Sequence, residues 1–142
     1  MNSGPNGKEE ALARGRDVYA APCRGRHCAQ MLAGPDGALW INGRDHIYKM
    51  MATDGHIFEY PKSTGAGMIT TGPHDDLWFT VEESGKIGRI TTDGKRTEFA
   101  LPNNFIPHAI TMGADRAMWF TVDCIRAQPG YDPTGKIGRI TA

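Results

Sequence analysis

No run of 18 or more apolar residues occurs in this chain of 142 residues, so a membrane-spanning helix is not expected. Net charge is missing too. The 16 Lys plus Arg stand against 16 Asp plus Glu, and nothing electrostatic favours nucleic acid or an anionic membrane as partner. Residues 1–17 are polar and glycine-rich without an apolar stretch, so no secretory signal is read there and the expected compartment is the cytoplasm. Cysteine is scarce and odd in number: Cys23, Cys28 and Cys124. Cys23 and Cys28, with His27 between them, have a spacing that zinc could use. No second Cys or His pair follows at finger-like distance, and free thiols in a reducing compartment are the preferred reading.

What the chain has in quantity is punctuation. Eighteen glycines and 9 prolines suit short strands joined by turns better than long helices. The three tryptophans carry more information, because Trp40, Trp78 and Trp119 recur at spacings of 38 and 41 residues. Leu77-Trp78-Phe79-Thr80 leads into Gly85-Lys86-Ile87-Gly88-Arg89-Ile90-Thr91. Met118-Trp119-Phe120-Thr121 leads into Gly135-Lys136-Ile137-Gly138-Arg139-Ile140-Thr141, and Leu39-Trp40-Ile41 into His46-Ile47-Tyr48-Lys49-Met50. A period of roughly 40 residues marks solenoids, propellers or arrays.

Each repeat has one grammar. A short strand such as Ala109-Ile110-Thr111-Met112 meets a turn, Gly34-Pro35-Asp36-Gly37 or its counterparts Gly72 to Asp75 and Gly113 to Arg116. A tryptophan strand follows, then a loop, then the Lys-Ile-Gly-Arg-Ile strand. An Asp-Gly turn leads to a fourth strand ending in proline, where an edge position tolerates it. Four antiparallel strands per repeat predict all-β, propeller-type blades, about three of them, over residues 28–61, 66–102 and 107–142. Residues 1–14 read as a flexible leader ahead of a single repeat domain, 15–142. Asp17 to Pro22 is in phase with the fourth strands, and the strand missing from the last blade is expected either from this segment or from another chain. Three blades fall short of the usual four to eight, so the expected object is an incomplete propeller or a piece that assembles with another copy.

The phrases Gly34-Pro35-Asp36-Gly37-Ala38-Leu39-Trp40, Leu77-Trp78-Phe79-Thr80, Lys86-Ile87-Gly88-Arg89-Ile90 and Pro107-His108-Ala109-Ile110 together resemble the streptogramin B lyases, also called virginiamycin B lyases. That resemblance implies a seven-bladed propeller that linearises cyclic depsipeptide antibiotics, and hence a role in antibiotic resistance. The bond is broken by elimination, with Mg²⁺ and a histidine base. Loss of a proton beside a carbonyl develops enolate charge, which explains both groups. His108 matches the base. Asp123, followed by Cys124, and Glu82 in the preceding repeat match a carboxylate four residues beyond the tryptophan, and the resemblance makes them candidate metal ligands. Ile106 stands where the family has a glutamate, and Gly67 where it has a second histidine.

Each assignment has a structural alternative. His108 could simply open a strand, Asp123 could cap a loop, and the tryptophans are expected in the core. Arg89 and Arg139 read as solvated outward positions. The segment Cys124 to Thr134 is nine residues longer than its counterpart and is a candidate binding loop. The rival to a lyase is a non-catalytic propeller fragment that binds a ligand or another protein.

Overall fold

The computed structural model describes residues 8–13, 16–19, 28–102, 105–123 and 135–141. The readings made on Cys23, His27, Cys124 and the loop to Thr134 lie outside the described residues. Among the described residues every regular element is a strand, and no helix is long and apolar enough to cross a membrane.

Three antiparallel meanders carry the three repeats. The first joins β3 (Cys28–Ala33), β4 (Leu39–Gly43), β5 (His46–Met50) and β6 (Ile57–Pro61) in that order. The second joins β7 (Ile69–Thr71), β8 (Leu77–Val81), β9 (Lys86–Ile90) and β10 (Arg96–Ala100). The third has three strands, β11 (Ile106–Met112), β12 (Met118–Asp123) and β13 (Lys136–Ile140). The early strand does not complete it. β2 (Arg16–Tyr19) pairs instead with β1 (Lys8–Ala13), a strand within the segment read as leader, and the two form a separate hairpin. Local antiparallel pairing closes a short loop, whereas reaching β13 would close one of more than a hundred residues.

The turn from first to second strand shows why the repeat is legible. Its third-from-last residue before the tryptophan takes positive φ in all three copies: Gly37 (79°), Asp75 (55°) and Arg116 (64°). Glycine adopts that backbone freely, whereas the other two hold it against a steric cost.

The sheets stack face to face, and two cores fill the gaps. Trp40 and Ile47 of the first sheet meet Ile69, Leu77, Phe79, Val81 and Ile90 of the second. Trp78 and Ile87 of the second meet Ile110, Met118, Phe120 and Val122 of the third. Strand burial follows directly. β8 has a sheet on either side and is buried at all five residues, so its alternation vanishes, whereas β12 alternates buried and exposed because only one face is covered. Trp40 and Trp78 are fully buried as expected of core residues, but Trp119 is 36% exposed and Ile137 75%.

Both arginines face outward as read, Arg139 exposed and Arg89 half-buried, and each finds a partner on its own sheet. Arg89 lies over the Trp78 ring at 5.7 Å and pairs with Asp76, whose Oδ1 accepts from the same indole at 3.0 Å. Arg139 repeats this with Trp119 at 5.6 Å and Asp115 at 2.9 Å, and Lys49 with Trp40 and Asp36. Alternation places the two arginines outward but says nothing of what they lie on. The aromatic face and the turn carboxylate draw the cation back onto the sheet.

Candidate functional site

His108 is the second residue after the start of β11, and the backbone there is irregular. Pro107 pairs with Val122 and Ile110 with Phe120, so His108 and Ala109 together oppose Thr121. This is a β-bulge, which bends the strand and re-aims a side chain. The Thr121 hydroxyl accepts from Ala109 N at 3.0 Å and holds the bulge from within its own sheet.

Two carboxylates flank the ring. Glu82 Oε1 lies 3.1 Å from His108 Nδ1, and Asp123 Oδ2 lies 2.9 Å from Nε2. The sequence therefore named all three residues that meet here. Glu82 and Asp123 each stand four residues past their tryptophan, one in the turn just after β8 and one at the end of β12, and β11 begins between them. Glu82 is fixed by its backbone, its N–H donating to Ala66 O at 3.2 Å and its carbonyl accepting from Gly85 N at 3.2 Å. Asp123 ends β12 and is the most open member, with 65% of its side chain exposed against 41% for His108.

The arrangement favours a charged ring. A neutral imidazole can donate from only one nitrogen, leaving the other lone pair against a carboxylate; the imidazolium donates to both. Burial pulls the His108 pKa down, but the hydrogen bonds and charges of Glu82 and Asp123 outweigh it, and the net direction is upward. Such a ring accepts a proton readily and keeps it.

Mg²⁺ is a poorer match. It needs oxygen ligands at about 2.0–2.1 Å converging on one point. Here the carboxylates sit against opposite nitrogens of one ring, which stands between them. Among the described residues no group of three or more His, Cys, Asp or Glu is gathered to hold an ion. Ile106 lines a cavity of about 170 Å³ with Glu82, Leu101 and Phe105, an apolar wall where a further ligand is expected. Nor can the Gly67 position hold a histidine in this arrangement, since any Cβ there would overlap the Thr80 hydroxyl and carbonyl. The described residues do not fit Mg²⁺. The other described histidines lie elsewhere: His46 stacks on Tyr48, His56 packs edge-on against Phe58, and His74 is exposed in a turn.

Sequence reasoning passed over Thr80, which touches the His108 backbone. The Trp-Phe-Thr phrase shared by two repeats was the available signal, but it served there only to set the repeat.

The model of the Virginiamycin B lyase family matches residues 11–142. The chain belongs to that family. Among solved structures it is 34% identical to a catalytically inactive histidine-to-alanine variant of virginiamycin B lyase from Staphylococcus aureus with quinupristin. That match has a TM-score of 0.66 and covers 84% of this chain and 44% of that one. A selenomethionine form of virginiamycin B lyase from Staphylococcus aureus matches at 34% identity and TM-score 0.67, covering 89% and 45%. A streptogramin B lyase structure matches at 33% identity and TM-score 0.59, covering 77% and 38%. The chain thus spans less than half the length of these relatives. No curated protein matches it.

Proposed function

We propose that this chain carries the proton-accepting part of a lyase that opens cyclic depsipeptides by carbon–oxygen elimination, with His108 as base. The observation that supports it is the His108 ring held between Glu82 and Asp123 at 3.1 and 2.9 Å. A catalytically inactive relative differs by loss of a histidine and was solved with quinupristin, which agrees with a histidine at the centre of the chemistry.

Neutral His108 takes the proton from a carbon beside a carbonyl. The electron pair of that C–H bond becomes a carbon–carbon double bond, and the adjacent C–O bond breaks to release a carboxylate. Glu82 and Asp123 stabilise the imidazolium that forms, since each accepts from one ring nitrogen. Nε2, beside the more exposed Asp123, is the nitrogen from which a substrate can displace a partner.

The measurement is mass spectrometry of a streptogramin B incubated with the chain in H₂¹⁸O, with and without Mg²⁺. Elimination gives a linear product of unchanged mass without ¹⁸O, and His108→Ala abolishes it. Hydrolysis, or no product under either condition, removes the reading.

A second reading draws on the open third sheet. Trp119 and Ile137 are exposed where Trp78 and Ile87 are fully buried, as suits a piece that docks a further blade from a second copy. On that reading the site is completed only by assembly, and product forms only at concentrations where sedimentation shows a dimer.

A further inference from the structure

Between β8 and β11 a single hydroxyl ties two sheets together at the candidate base. Thr80 is fully buried; its Oγ1 accepts from Met68 N at 2.9 Å and donates to the His108 carbonyl at 2.8 Å. The threonine itself is fastened on both sides, its N–H donating to Met68 O at 3.0 Å and its carbonyl accepting from Asn42 Nδ2 at 3.1 Å. The His108 carbonyl belongs to the bulge, the part of β11 that the sheet's own ladder holds least regularly. The bulge is therefore pinned twice, by Thr121 within its sheet and by Thr80 from the sheet beside it.

Gly67 makes this possible. It occupies in the second repeat the place that His108 occupies in the third, and a Cβ there would collide with Thr80 Oγ1 and the Thr80 carbonyl. The absence of a side chain lets Thr80 sit close against β7 and still reach across to β11.

We infer that Thr80 is a positioning residue for His108: its buried hydroxyl fixes the bulge from the neighbouring sheet and so aims the imidazole between Glu82 and Asp123. The inference rests on His108 being the base, and Thr80 acts on it through the His108 backbone carbonyl.

Thr80→Val keeps the shape and removes the hydroxyl; Thr80→Ser keeps the hydroxyl. In Thr80→Val, kcat is expected to fall about tenfold while KM changes less than about twofold, because a displaced base slows the step without weakening binding. Thr80→Ser restores kcat to within about twofold. A readout independent of turnover is the ¹H–¹³C signature of the His108 ring at one fixed pH in histidine-labelled protein. It should be sharp in the parent and in Thr80→Ser, moved or broadened in Thr80→Val, with exposed His74 unchanged throughout. Should Thr80→Val fail to fold, Thr80→Ala, which only removes atoms, carries the same expectations. A folded Thr80→Val with the parent's His108 signature overturns the inference, as does parental kcat. If the parent shows no turnover, the ring signature still decides the positioning role, and only the reading of His108 as base falls.

Discussion

Ile87 and Ile137 hold the same place in two copies of Lys-Ile-Gly-Arg-Ile, one in β9 and one in β13, yet the first is fully buried and the second 75% exposed. Truncating either to alanine removes three carbons. At about 0.8 kcal/mol per buried CH₂ the transfer term at Ile87 is about 2.4 kcal/mol, and the cavity left between the second and third sheets raises the loss to about 3–4 kcal/mol. At Ile137 only about a quarter of that transfer applies, about 0.6 kcal/mol, and no cavity forms. The strand-propensity cost of alanine, up to about 1 kcal/mol, is common to both and cancels in the comparison. Ile87→Ala should therefore be less stable than Ile137→Ala by about 2–3 kcal/mol in urea unfolding followed by tryptophan fluorescence. Equal losses at all protein concentrations would refute the stacking order described above. A loss at Ile137 that grows with concentration until it matches that at Ile87 would instead show the face covered by a second copy, and would refute the open third sheet.

Three further outcomes follow. His108 has a folded pKa above its ordinary value, so its contribution to stability is fully present below the unfolded pKa and is lost as pH rises through the folded one. Turnover needs the neutral ring and should climb through that same raised pKa; in Asp123→Asn the inflection should move to lower pH, and an unmoved inflection would contradict the ion pair. Lys62 behaves in the opposite sense: burial lowers its pKa from 10.5 to about 8, against the attraction of Glu98, Asp45 and Glu83. The unfolded chain then binds more protons between those two values, so stability relative to Lys62→Met should rise from about pH 8 to 10.5, and a flat difference would show the amine charged throughout. Finally, iodide quenching should reach one tryptophan of three in the folded chain, and Trp119→Phe should abolish that fraction.

The repeat was legible because the same contacts recur at each copy. Trp40 and Trp78 hold one position and fill one kind of gap, and the turn before each needs one residue at positive φ, which leaves a glycine or polar residue as its mark. The pairing of the early strand was not legible, since phase with the fourth strands says what Asp17 to Tyr19 could pair with and not which partner lies nearest along the chain. Period-2 alternation told only part of the story for Arg89 and Arg139. It assigns a side chain to a face, and both do lie on the predicted kind of face, but it cannot see that Trp78 or Trp119 on the adjacent strand offers a ring to lie on.

The candidate site became legible only through the repeat. Glu82 and Asp123 are 41 residues apart in sequence, and nothing local links either to His108. Their common offset from the tryptophan puts both at the same end of successive sheets, and a strand that enters between those ends must pass both carboxylates. A histidine two residues into that strand is then held from two sides. What the offset could not supply is the bulge, because register irregularity leaves no composition signal in Pro107-His108-Ala109. Nor could it supply Thr80, whose hydroxyl acts across sheets at a position that in Thr121 serves only its own. Equivalent positions in a repeat share backbone geometry. Their chemistry parts company wherever a neighbouring sheet is present for one copy and absent for the next.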